Sequence, residues 1–114
     1  MRTDSADLLQ GTLGILILKA LLAGTMHGYA IARWVEGMTD DVLRIEEGSL
    51  YPALRRLEDR ALVRSAWGTS ENNRRARFYT ITAAGRTHLR AEAETWLRYA
   101  EAVTHVLRAA PAVG

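Results

Sequence analysis

The feature that most restricts the fold is the last third of the chain. Leu89, Ala93, Trp96, Ala100, Val103 and Leu107 recur at spacings of 4, 3, 4, 3 and 4 residues. That is a heptad-type seam, by which a helix presents one continuous apolar edge to another helix. The pattern predicts a helix from Ala83 to about Arg108, capped by Thr82 and followed by Pro111 and Gly114. At 1.5 Å per residue such a helix is roughly 40 Å long. No later element of the sequence lies beyond it, so the seam is expected to pair with a second subunit in a homodimer. The competing reading is packing on the chain's own first helix alone.

The preceding residues predict three helices and a β-hairpin. Leu9, Leu13, Leu16, Ala20 and Ala23 form one stripe of a first helix that starts at Leu8 or Gly11 and is stopped by Gly24. His27-Gly28 opens a second helix, Tyr29 to Gly37 or Met38. Thr39 to Arg44 is a short acidic connection. In the third helix Ser49 is the expected N-cap, which puts Pro52 at the third helical position. Leu50, Leu54 and Leu57 face the core, leaving Tyr51, Arg55 and Arg56 outward. The helix ends near Arg60-Ala61. Leu62–Trp67 and Arg77–Ile81 are expected strands, joined by a long polar tip, Gly68 to Ala76. Trp34 and Trp67 are expected to be packing residues.

This order predicts a mainly α fold with a small β-hairpin: a winged helix-turn-helix with a long C-terminal dimerisation helix. The expected division is residues 1–82 for the DNA-binding unit, 83–110 for the dimerisation helix and 111–114 for a tail. In such modules the third helix enters the major groove, where arginine pairs with guanine.

Charge distribution agrees with that function. Residues 1–48 carry four cations against seven acids, while residues 49–85 carry seven arginines against three acids, a net of +4. A clustered basic region is what a phosphate-binding surface requires. Arg55 and Arg56 on the third helix, and Arg74, Arg75 and Arg77 on the wing, are the expected DNA contacts. The alternative function is a winged-helix module that binds another protein, for which such a basic region has no use.

Other classes are poorly served. There are no cysteines, so disulfides and thiolate metal sites are excluded, and a reducing cytoplasm is the expected location. The start does not resemble a signal peptide. The longest apolar stretch, Leu13 to Ala23, is too short to span a bilayer. His27, His88 and His105 are scattered, with no HExxH motif or glycine-rich phosphate loop. No enzyme, metal or cofactor is expected.

The runs LLQGTLGILILKALLAGTMHGYAIA, EEGSLYPALRRLEDRALV, WGTSENNRRARFYTIT and TAAG resemble the PadR family of transcriptional regulators over about residues 8–100. The short tail resembles the form with a single C-terminal helix, including an acidobacterial group. The resemblance implies a homodimer, usually a repressor, acting on a double-stranded operator. It implies DNA-contact roles for Tyr29, Ser49, Tyr51, Pro52, Arg74 and Arg75. It also implies a small flat aromatic effector on Trp96, which the seam alone explains equally well as a packing residue. One departure stands out: relatives commonly have glycine where this chain has Arg60-Ala61. One of these two residues is then expected to take a left-handed conformation, or the helix to end differently.

Overall fold

The computed structural model describes residues 11–112. In chain order they form α1 (Leu13–Leu22), β1 (Met26–His27), α2 (Gly28–Met38), α3 (Glu47–Asp59), β2 (Val63–Thr69), β3 (Arg75–Ile81) and α4 (Ala83–Arg108). The expected helical start at Leu8, with Leu9 in its stripe, lies outside the described residues, as do Val113 and Gly114 of the tail. No helix among the described residues is long and apolar enough to cross a membrane.

The core lies where α1, α2 and α3 meet. Ile17 and Leu18 of α1, Ile31 and Val35 of α2, and Leu50 and Leu54 of α3 are fully enclosed. The wing adds Val63, Tyr79 and Ile81, and α4 adds Leu89. The sheet is antiparallel in the order β1-β3-β2. It is therefore three-stranded, not a bare hairpin. Met26 and His27 pair with Tyr79 and Phe78. A two-residue strand has no alternation to reveal it in the sequence.

Two boundaries and one packing assignment depart from expectation. The first is the start of α3. Its N-cap is Glu46, not Ser49, and the Ser49 N–H already donates to the Glu46 carbonyl at 3.0 Å. Ile45, just before the cap, and Leu50 in the first turn are both buried, the arrangement of a hydrophobic staple. That apolar anchor, and not a hydroxyl cap, sets the entry. Pro52 is consequently the sixth helical residue. Its missing N–H leaves the Gly48 carbonyl without a helical donor, on an exposed turn where water can serve.

The wing is the second departure. Its strands run further than expected, with Gly68 paired to Ala76 and Thr69 to Arg75. Only Ser70–Arg74 remain as the tip, closed by Ser70 N–H to Arg74 carbonyl at 2.8 Å. Asn73 supplies the left-handed residue of that turn, with φ of 61°. The third departure is Trp67, which is 57% exposed on the wing and not a packing residue of the core. Trp34, by contrast, packs against the core as expected.

The end of α3 resolves the missing glycine. Ala61 takes the left-handed conformation, with φ of 60°. The Leu62 N–H donates to the Leu57 carbonyl and the Ala61 N–H to the Glu58 carbonyl, both at 2.9 Å. That is a Schellman stop made without glycine. Beyond the wing, Thr82 caps α4 by accepting from the Gly85 N–H at 3.0 Å. Gly85 lies so close to the Leu62 carbonyl and the Ile81 side chain that a Cβ would collide with both.

Two substitutions test this account by urea unfolding at one protein concentration. Gly85→Ala should destabilise the fold by about 1–3 kcal/mol, through overpacking against backbone. Ala61→Gly should stabilise it by up to about 1 kcal/mol, because relief of left-handed strain exceeds the added freedom of the unfolded chain.

Candidate nucleic-acid interface

The outward face of α3 follows from its buried one. With Leu50, Ala53, Leu54 and Leu57 turned inward, Ser49, Tyr51, Pro52, Arg55 and Arg56 are all exposed. Among the described residues neither Arg55 nor Arg56 has an acidic partner, although Glu58 and Asp59 follow at helical spacing. Two unpaired guanidiniums on one face leave their full donor sets open to an anion.

Tyr51 closes one wall of a groove between α3 and the wing. Its ring lies against Gly28, at the first residue of α2, where a Cβ would meet the ring and hydroxyl at 2.8–3.0 Å. Partial burial, helped by Glu47, holds the Tyr51 hydroxyl above the ordinary tyrosine range, so it remains a neutral donor. Tyr29 stands beside it, 61% exposed, and stacks on His27 with centroids 6.4 Å apart. Arg33 donates to the Tyr29 hydroxyl at 3.0 Å and fixes its position. His27 holds the start of α2 by accepting the Ala30 N–H at its Nδ1, and packs its edge on Phe78.

The opposite wall is the wing. Tyr29 and Tyr51 share the groove with Arg74, Arg75, Arg77 and Trp67. Trp67 is opposite Arg77 in the strand register. Arg75 and Arg77 both lie over its ring, at 4.7 and 5.4 Å from the centroid. An indole beneath two arginines restrains long side chains that would otherwise be mobile. Sequence reasoning missed Trp67 and His27 here. Trp67 could be assigned only from the true hairpin register, which depends on the length of the tip.

Five of the residues expected at the site therefore line one groove: Tyr29, Tyr51, Arg74, Arg75 and Arg77. Ser49, Pro52, Arg55 and Arg56 do not line it; they extend the surface along α3. Arg74 and Arg75 have no ion-pair partner among the described residues. Arg77 differs, lying 3.7 Å from the Glu58 carboxylate. No cluster of three metal-ligating side chains occurs among the described residues.

The seam residues lie on α4 but not in one environment. Leu89 is buried and Ala93 packs against the core. Trp96 is 42% exposed, and by Leu107 exposure reaches 77%. Trp96 and Tyr99 border a small groove against Gly11 and Ile15.

Comparison with known proteins matches this architecture. A transcriptional regulator from Clostridium thermocellum superposes with a TM-score of 0.77 at 30% identity, covering 86% of this chain and 95% of that one. A PadR family transcriptional regulator from Eggerthella lenta gives a TM-score of 0.73 at 30% identity, covering 92% and 89%. In sequence, a 37.1 kDa protein of a Streptomyces fradiae transposon is 40% identical over 98 residues, 86% of this chain but only 25% of that protein. A Lysinibacillus sphaericus protein is 26% identical over 98 residues, 86% of this chain and 90% of its own length. The model of the transcriptional regulator PadR-like family matches residues 17–91, from the buried face of α1 through the wing to the first turns of α4. This chain belongs to the PadR-like family of transcriptional regulators.

Proposed function

We propose that the chain is a homodimeric repressor that binds a specific double-stranded operator, with α3 in the major groove and the wing on the adjacent backbone. The observation that carries this reading is the continuous surface made by Tyr51, Arg55 and Arg56 on α3 and by Arg74 and Arg75 on the wing. Its arginines lack acidic partners among the described residues. Unpaired guanidiniums supply both charge and directed donors to DNA. Arg55 and Arg56, the ninth and tenth residues of α3 and so both in its third turn, are assigned to base edges. Tyr29, Ser49, Tyr51 and Pro52 are assigned to the sugar-phosphate backbone near the helix start, and Arg74 and Arg75 to phosphates beside it.

The second half of α4 supports the dimer. Trp96, Val103 and Leu107 are on the seam and remain 42%, 38% and 77% exposed among the described residues. A second copy of the same edge would bury them. Two recognition helices about 34 Å apart would then meet successive major grooves of a pseudo-palindrome. Trp96 is also the place for an aromatic effector, since it keeps an open edge beside Tyr99.

Binding to DNA upstream of the protein's own gene, compared with a random duplex, tests the first part. Arg55→Ala and Arg56→Ala should each weaken specific binding by about 1–3 kcal/mol. Arg75→Ala should weaken both duplexes alike and reduce the salt slope by about one. Unchanged binding in all three variants would overturn the assignment.

Light scattering tests the second part. The wild type should have twice the chain mass, and Val103→Asp with Leu107→Asp should reduce it to one. For the effector, a planar aromatic cation should quench tryptophan emission in the wild type and lose that effect in Trp96→Ala.

A further inference from the structure

The wing has a mechanical difficulty. Its root is anchored by Val63, Tyr79 and Ile81, but none of residues 64–78 is buried. Beyond that root, the apolar contact of the wing with the body is Phe78 edge-on to His27 of β1, which does not bear on α3. Among the described residues, the one polar link from α3 to the body of the wing is a three-residue network. Ser65 of β2 donates its Oγ–H to Glu58 Oε2, in the last turn of α3, at 2.7 Å. Arg77 of β3 donates its Nε–H to the same Ser65 Oγ at 2.8 Å. Its Nη2 lies 3.7 Å from Glu58 Oε2.

We infer that Arg77 is a positioning residue, which with Ser65 and Glu58 clamps the wing to the recognition helix and sets the reach of Arg74 and Arg75. This rests on the DNA-binding reading above and changes the part that Arg77 takes in it. Three observations support it. The network joins three elements, whereas a phosphate contact needs none of them. Ser65 faces Tyr79 in the register, so Arg77, which faces Trp67, reaches diagonally across the ladder to its partner. The same guanidinium also lies over Trp67, whose ring carries Arg75, so the restraint continues to the basic tip.

Electrostatics separates the clamp from direct contact by sign. Glu58 is an acid near a DNA-facing surface. If Arg77 simply touched phosphate, removing Glu58 would free it and tighten binding. If the clamp sets the wing, removing Glu58 weakens binding. The pair is partly exposed, so it contributes little to global stability and its loss leaves the overall fold in place.

The experiment uses Glu58→Ala, Arg77→Ala and the double variant of the full chain. A duplex selected by the wild type from a random-sequence pool is the binding probe. Each single variant should bind about threefold to tenfold more weakly, and the double no more weakly than the worse single, as expected of residues acting as one unit. In protein without DNA, backbone amides of β2 and β3 beyond Ser65 should exchange hydrogen faster in all three variants, with the unfolding midpoint little changed. Wild-type or tighter binding by Glu58→Ala, with only Arg77→Ala impaired, would overturn the clamp and make Arg77 a phosphate contact. Unaltered exchange in both single variants would overturn it as well. If the wild type selects no DNA, the function proposed above fails while the exchange measurement still decides the clamp.

Discussion

The geometry of the whole chain turns on one hydroxyl. Thr82 donates its Oγ–H to the Ala61 carbonyl at 2.8 Å and accepts the Gly85 N–H at 3.0 Å. Its own N–H donates to the Leu62 carbonyl at 3.1 Å. These bonds gather the stop of α3, the root of both long wing strands and the first turn of α4 at one point. Gly85 makes the approach possible, since any side chain there would displace the helix from the Leu62 carbonyl. α3, the wing and α4 are thus oriented by the same few backbone atoms.

The joint between α2 and α3 depends on a carboxylate. Glu36, near the end of α2, accepts the Ile45 N–H at Oε2 at 2.9 Å. Arg44 approaches the same oxygen at 3.7 Å and Arg33 the other at 4.0 Å. Between them the chain reverses through Asp40 and Asp41, both left-handed, with φ of 50° and 64°. Two such residues in succession are costly unless their surroundings hold them. Glu36 holds the far side of the turn and fixes Ile45, the apolar anchor before α3. Arg33 extends the link to Tyr29. A half-buried carboxylate therefore couples the turn to a groove residue.

Long-period features were legible in the sequence. The leucine stripe of α3 places its buried face correctly, because it repeats over several turns, and the seam of α4 begins at Leu89, which is buried, and Ala93, which packs against the core. Thr82 as a cap, and the left-handed residue forced by the missing glycine after α3, follow from local rules that nothing in the fold overrides. What escaped were features decided by tertiary partners. Ser49 is a good capping residue, yet the helix begins three residues earlier because Ile45 can be buried there. Gly68 and Thr69 read as turn residues, yet they pair because Phe78 lies across Gly68 and continues the strand. Trp67 was misplaced for the same reason: its neighbours Arg75 and Arg77 are set by a register that composition does not specify.

The exposure gradient along α4 links these joints to function. Leu89 is 7% exposed and anchored in the core, whereas Leu107, eighteen residues on, is 77% exposed. An isolated helix gains nothing from an apolar edge in water, so the uncovered half has a reason to exist only against another apolar surface. The covered half is tied through Thr82 to the end of α3. Whatever seats on the far half acts on a rod whose root is bonded to the stop of α3. At 1.5 Å per residue that rod is about 39 Å long, so a tilt of a few degrees becomes a displacement of a few ångströms between its two ends. Displacements of that size are enough to make or break a hydrogen bond.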